Sequence, residues 1–266
     1  MGTADAAARL LDAYESLEPL APIADDFGGD ISLAYAIQQH QLETRLAEGR
    51  AVKGHKVGLT SRAMQHQLGV SEPDYGFLLD DMFLLDSQPV PTGYFIAPKV
   101  EPEIALVLGS PLSGPGVTAA DALRAIDFAL ASLEIIDSRI ADWEISLFDT
   151  IADNASSGAV VLGTKPVRLD AIDLAGAGCV LHKNGAVVGS GAGAAVLGSP
   201  VNALVWLANT LGRLGVTLEA GSVIMPGSLC GAVEVAPGDT VSATFAGLGT
   251  VTTRFAPVST VSGGTE

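Results

Sequence analysis

Residues 98–108 read PKVEPEIALVL, an apolar run interrupted by Glu101 and Glu103. Ile104, Leu106, Val107 and Leu108 favour a strand. In a strand, positions i and i+2 share a face, so both carboxylates point the same way. Burying like charges side by side is costly without a cation to pair them. Glu134 lies in a similar setting, within LASLEIIDSR. Three carboxylates among apolar neighbours make an oxygen-rich donor set suited to Mg²⁺ or Mn²⁺. The plainer alternative is a solvated strand face for the pair and a salt bridge to Arg139 for Glu134.

Lys56 stands between Gly54 and Gly58 in GHKVGLTS. A lysine that loses solvation becomes an acid–base group or an anion clamp. On an exposed edge it only discourages aggregation. Asp74 in EPDYGFLLDDM sits among turn-forming residues, as a turn cap or a proton-transfer carboxylate. DTIADNASSG, residues 149–158, reads as a polar loop whose Ser156 and Ser157 can bind a carboxylate or satisfy loop backbone. No nucleophile elbow supports a reactive serine, and the Gly-rich 189–198 stretch lacks the lysine of a phosphate loop. His40, His55, His66 and His182 are scattered, and His55 reads as a packed residue.

These groups need a scaffold. The 266 residues are enough for a sizeable core. The net charge of −16 argues against nucleic acid or an anionic membrane as partner. Mean hydropathy is +0.40, yet no apolar run reaches the roughly 18 residues of a membrane span. The acidic start is a poor signal peptide, so Cys179 and Cys230 are expected reduced in a cytoplasmic protein. Helices are expected over 6–17 and from Asp30 or Ser32 to Glu48. A third follows a Thr118–Asp121 capping box through Leu123, Ile126, Leu130 and Leu133, and a fourth runs from Ser199-Pro200 to Gly215. Short strands are expected near 52–58, 94–96, 101–108, 133–137, 158–162, 179–182, 186–189, 222–225 and 240–254, with an Asn184-Gly185 hairpin. Without regular βαβ alternation, the class is α+β with a rolled, mostly antiparallel sheet. The division expected is a helical arm over 1–51, a β-rich catalytic domain over 52–257 and a flexible tail over 258–266.

In their order, HKVGLTS, EPDYGFLLDDM, PKVEPEIALVLG, SLEIIDSRIADW and DTIADNASSG closely resemble the 2-keto-4-pentenoate (2-hydroxypenta-2,4-dienoate) hydratase family. That family belongs with the 2-oxo-3-hexenedioate (4-oxalocrotonate) decarboxylases in the fumarylacetoacetate hydrolase superfamily. The resemblance runs from about Asp30 to Phe255. It implies the superfamily's rolled mixed β-core behind an N-terminal helical part, with Mg²⁺ or Mn²⁺ on Glu101, Glu103 and Glu134. It also implies Lys56 and Asp74 as proton-transfer groups and Ser156 or Ser157 against the substrate. The implied reaction is hydration of 2-hydroxypenta-2,4-dienoate to 4-hydroxy-2-oxopentanoate in meta-cleavage catabolism of aromatic compounds. Decarboxylation of 2-oxo-3-hexenedioate is the alternative, with Arg62, Lys99 or Arg139 as the cation for a far carboxylate. A non-catalytic partner subunit is a second alternative. A homo-oligomer, with a pathway decarboxylase or aldolase as possible partner, is also implied.

Overall fold

The computed structural model describes residues 1–61, 65 and 70–258. Arg62, His66 and nearly all of the expected tail therefore lie outside the described residues. Among the described residues, the helices are α1 (Thr3–Ser16), α2 (Ile31–Ala47), α3 (Ala119–Ala125), α4 (Leu147–Ala152) and α5 (Pro200–Arg213). The strands are β1 (Val52–Gly58), β2 (Asp74–Leu79), β3 (Phe83–Leu84), β4 (Lys99–Leu108), β5 (Ile126–Ile136) and β6 (Ser157–Leu162). They continue as β7 (Gly178–Lys183), β8 (Ala186–Ala192), β9 (Val223–Met225), β10 (Val233–Glu234), β11 (Thr240–Phe245) and β12 (Gly249–Arg254).

One sheet has the order β2-β1-β9-β4-β5-β6-β3, with β10 added to β4; the other has the order β12-β11-β7-β8. Pairing is antiparallel except for β1–β9 and β3–β6. This is the mixed α+β class with a curled sheet. The smaller sheet packs across β5 and β6, and the main core fills the space between, with Ile104, Leu106, Leu133 and Leu204 fully buried. β4 supplies that core from one face only. Its other face carries Lys99, Glu101, Glu103, Ala105 and Val107, so polar residues at one end give way to apolar ones at the other.

The helical arm is tied down by polar side chains. Asp149 on α4 accepts from the Ile23 and Ala24 amides at 2.8 and 3.1 Å. Gln38 on α2 donates to Tyr75 O and Ile151 O, and Gln41 donates to Ala152 O at 2.6 Å. These buried amides satisfy carbonyls that helix packing would otherwise strand.

Three local expectations fail, each for a tertiary reason. The Thr118–Asp121 box forms, but the helix ends at Ala125 and Ile126, Leu130 and Leu133 belong to β5. The long pairing with β4, from Leu108↔Ile126 to Lys99↔Ile136, overrides the helical spacing. Asp74 is not in a turn; it opens β2, a strand buried along its whole length. Residues 94–96 form no strand, because the Ile96 and Ala97 amides bond the Asp137 carboxylate instead. The hairpin at Asn184-Gly185 forms as expected, with φ of 52° and 82°.

One segment, Gly193–Arg213, is long and apolar enough to cross a membrane by length and composition. Its α-helix, α5, has 14 residues, about 21 Å at 1.5 Å per residue against roughly 30 Å of hydrocarbon. α5 buries Leu204, Leu207 and Leu211 in the core, as a core helix does.

Candidate active site

The β4–β5 register sets Glu101 directly opposite Glu134, with Glu103 one pleat further along the same face. One oxygen from each of the three carboxylates lies within 4.8 Å of the other two. Glu103 and Glu134 are each 1% exposed, and Glu101 is half-buried on the cavity wall. Glu103 accepts from the Gly227 amide at 2.9 Å. Neither oxygen of Glu134 has a hydrogen-bond partner. Burial first, and then the Glu134 carboxylate, push Glu101 up to about 7. Burial and both neighbouring glutamates raise Glu103 well above the carboxylate range. Burial raises Glu134 as well, against the pull of Lys56. Such a cluster cannot ionise fully without a cation. Its all-oxygen donors, and the Glu134 oxygens that accept no hydrogen bond, fit a hard divalent ion.

Lys56 comes from β1, which lies between β2 and β9, so it is not an edge lysine. Its Nζ donates to Ala155 O at 2.8 Å and stands 3.5 Å from Glu134 Oε1. Burial alone would lower the lysine pKa. Glu134, Asp74, Glu101 and Glu103 together outweigh it and hold Lys56 above its ordinary value, as an ammonium. Asp74 faces Gly58 across the β1–β2 pair. A Cβ at Gly58 would collide with the Asp74 carboxylate, so the glycine opens the space that carboxylate occupies. Asp74 is 2% exposed and its Oδ1 has no partner. Burial raises its pKa despite Lys56.

The loop after α4 closes the cavity. Asn154, Ala155 and Ser156 all adopt left-handed backbone, with φ of 52°, 52° and 53°. Non-glycine residues hold that conformation only when their surroundings over-determine it. Asn154 grips Phe77 by both amide and carbonyl, at 2.8 and 3.0 Å. Asp153 is locked by Arg139, whose Nε lies 2.6 Å from Asp153 Oδ1. The result aims Ala155 O at Lys56 and sets Ser156 on the cavity wall, its hydroxyl 3.0 Å from Thr150 Oγ1. Ser157 is outside that wall; its hydroxyl donates to Asn154 O at 2.7 Å.

Lys56, Asp74, Glu101, Glu103, Glu134 and Ser156 thus line one cavity of about 380 Å³. The expected Glu134–Arg139 salt bridge is absent. Arg139 is spent on Asp153 and Asp137, and its guanidinium stacks 4.1 Å over Tyr14. It lines a different cavity, behind α1, and cannot serve a far carboxylate. His55 is packed as expected: burial pushes it down to about 4, and it stays neutral. Thr60, the Ala155 carbonyl and the Gly227 amide were not singled out from sequence. Backbone groups leave no residue signature, and the Thr60 hydroxyl carries no spacing signal of its own.

The carboxylate cluster makes stability depend on pH and metal. Glu101 keeps its proton to about pH 7 when folded, against an ordinary value of 4.5. The folded state therefore binds more protons within that window, and metal-free stability falls as pH rises through it. A divalent cation bound by the cluster would replace the proton. Its gain in Tm should grow between about pH 5 and about pH 7.5, read by thermal denaturation with and without the ion. An equal gain at both pH values would place the ion elsewhere.

Residues 46–256 match the family model described as "Fumarylacetoacetate (FAA) hydrolase C-terminal". The chain belongs to the fumarylacetoacetate hydrolase family. It is 46% identical over 252 residues to a 2-keto-4-pentenoate hydratase of Paraburkholderia xenovorans (strain LB400), covering 94% of each chain. It is 41% identical to a 2-oxo-hept-4-ene-1,7-dioate hydratase of Escherichia coli, over 94% of this chain and 96% of that one. Among solved structures, a 4-oxalocrotonate decarboxylase from Pseudomonas putida G7, complexed with magnesium and adipate, superposes with a TM-score of 0.92. That protein is 38% identical, with 95% of this chain and 97% of that chain covered.

Proposed function

We propose that this chain is a metal-dependent hydratase. It converts 2-hydroxypenta-2,4-dienoate (2-oxopent-4-enoate) to 4-hydroxy-2-oxopentanoate in meta-cleavage catabolism of aromatic compounds. The observation that carries the reading is the meeting of Lys56 and Asp74 with a buried three-glutamate cluster in one cavity. The 46% and 47% identity to two named hydratases supports this chemistry. Glu101, Glu103 and Glu134 are the residues that would hold Mg²⁺ or Mn²⁺. The ion supplies Lewis-acid stabilisation of negative charge on the substrate's C2 oxygen.

The chain's own groups move the protons. Lys56 holds a proton at Nζ, positioned by Ala155 O, and delivers it to C5 of the dienol, while the C2 hydroxyl proton passes to solvent, from which Lys56 is reprotonated. The product of that step is an α,β-unsaturated 2-oxo acid. Water then adds its oxygen at C4 and a proton at C3. Asp74, with a free Oδ1 beside Gly58, is the group that takes the proton from that water. Ser156, paired with Thr150, offers its hydroxyl to the substrate carboxylate, and Ser157 braces the loop. In D₂O, product made by this route carries one deuteron in its C5 methyl group, visible by NMR. A methyl group free of deuterium would contradict protonation at C5.

A second reading, decarboxylation of 2-oxo-3-hexenedioate, draws on the decarboxylase superposition. A non-catalytic subunit has no use for the buried Lys56–Asp74 pair. The division into an arm over 1–51 and a catalytic unit over 52–257 follows the β-core around this cavity. Two free thiols, Cys179 and Cys230, suit a cytoplasmic setting. Partly exposed Phe83, Val107, Phe128 and Leu162 on one sheet face suit a homo-oligomer.

A further inference from the structure

Two segments outside the strands wall the active cavity: the loop through Ala155 and Ser156, and the stretch carrying Trp143 and Ile145. Both hold costly backbone. Asp142 and Trp143 have φ of 56° and 57°, a region that bulky residues rarely enter, and the loop has its own left-handed run. Strain of this kind persists only where neighbouring contacts over-determine it. For both walls those contacts lead back to the N-terminal arm. Leu20 of the arm bridges to Ile140: its amide donates to Arg139 O at 2.7 Å, and the Ala141 amide donates to Leu20 O at 2.8 Å. Trp143 follows two residues later.

Arg139 is the node between the arm and the walls. It is 1% exposed. Its Nε donates to Asp153 Oδ1 at 2.6 Å, its Nη2 to Asp153 O at 3.2 Å and its backbone amide to Asp153 Oδ2 at 3.0 Å. Those three bonds fix the residue that leads into Asn154, Ala155 and Ser156. Its Nη1 stands 3.7 Å from Asp137 Oδ2. Asp137 in turn accepts from the Ile96 and Ala97 amides, and Ala97 O accepts from Trp143 Nε1 at 2.9 Å. One guanidinium thus reaches both walls. Its planar face lies 4.1 Å from the ring centroid of Tyr14 on α1, a cation–π contact. The cavity of about 320 Å³ behind α1 opens against Tyr14, Asp137, Arg139 and Asn154. Interiors normally orient a side chain by close packing on every side. Here open space replaces part of that packing, and the Tyr14 ring carries more of the orientation.

We infer that Tyr14 is a positioning residue for the reaction: its ring seats Arg139, which sets Ala155 O against Lys56 and holds the Trp143 wall in place. The arm is then a working part of the site and not only a cover for the β-core. This inference rests on the role given to Lys56 under the proposed function. Tyr14 is not among the residues that line the active cavity, so it acts through Arg139 alone. Removing its ring orphans no buried charge, because Arg139 keeps both aspartates. The three glutamates are outside this network.

The test uses the full chain in a Trp206→Phe background, where Trp143 is the remaining tryptophan. Tyr14→Leu should lower kcat about tenfold or more, the scale of a small misplacement at a reacting centre. The divalent-cation concentration giving half-maximal activity should change by less than about twofold, since the glutamates share no partner with Tyr14. Trp143 emission should move to the red, and its quenching by acrylamide should rise, as the hold on Ala97 loosens. Tyr14→Phe keeps the ring and should match the parent in all of these readouts. Tyr14→Met, whose flexible chain fills the same space without a ring face, is the second variant if leucine unfolds the arm. Parent-like kcat and Trp143 emission in a folded ring-less variant overturn the inference. A lower Tm with kcat and emission unchanged also overturns it, and leaves Tyr14 as scaffold. If the parent does not hydrate the dienoate, the proposed reaction falls, and the Trp143 readouts alone decide the coupling: a shift that Tyr14→Phe reverses upholds it, and no shift overturns it.

Discussion

Lys56→Met, measured with saturating divalent cation, lowers kcat by about 10²–10⁴-fold, the usual contribution of one acid–base group. The physical reason is the position of Nζ. It is buried, held 2.8 Å from Ala155 O, and kept as an ammonium by the surrounding carboxylates. Methionine fills the same volume without a proton to give. Lys56→Arg is the decisive companion. It keeps the positive charge beside Glu134, but a guanidinium does not release a proton at accessible pH. Both variants should therefore be slow, with melting temperatures near that of the parent in the presence of metal. Recovery of activity in Lys56→Arg would show that Lys56 is only a counter-charge.

Glu103→Gln has the second large effect, with opposite signs on activity and stability. Glutamine still accepts from the Gly227 amide, so the bond at 2.9 Å survives. It removes one of three clustered buried carboxyls, each of which burial pushes up. The metal-free variant should melt at or above the parent temperature, because a neutral amide replaces a group that resists ionisation. Divalent-cation affinity should fall, and turnover should fall by about 10²-fold or more. Calorimetric titration of the cation and a turnover assay check the two halves. Parent-like turnover with the parent's metal requirement would remove Glu103 from the site.

The α+β class with its rolled sheet was legible in the sequence, and the structure brings the candidate residues to one cavity, but several local settings were not legible. Glu101 and Glu103 announced a shared face because a strand has period two, and β4 delivered that face. Lys56 and Asp74 were visible as residues. The setting of Lys56 was open between interior and edge, and the strand order makes it interior; that of Asp74 was misread, since it opens a buried strand rather than sitting in a turn. Pro73 and Gly76 dominate local propensity there, whereas pairing with β1 decides the outcome. The same override turned Ile126–Leu133 from helix to strand. Arg139 illustrates a different limit. Its nearest acid in sequence, Asp137, is a weak partner at 3.7 Å, and the strong one is Asp153, reached only through the fold. Between Ser156 and Ser157, adjacency in sequence gave no basis for choice. The left-handed run through Ser156 makes that choice by turning one hydroxyl to the cavity and the other to Asn154.

The most direct test of the central claim is a paired assay of purified, folded protein. Loss of ultraviolet absorbance is followed for 2-hydroxypenta-2,4-dienoate and, separately, for 2-oxo-3-hexenedioate, with Mg²⁺, with Mn²⁺ and with chelator. The account predicts metal-dependent loss of the dienoate, with 4-hydroxy-2-oxopentanoate appearing in equal amount and chelator abolishing it. Release of CO₂ from the diacid with no turnover of the dienoate would contradict the hydratase assignment. Dienoate turnover undiminished by chelator would contradict the three-glutamate metal site.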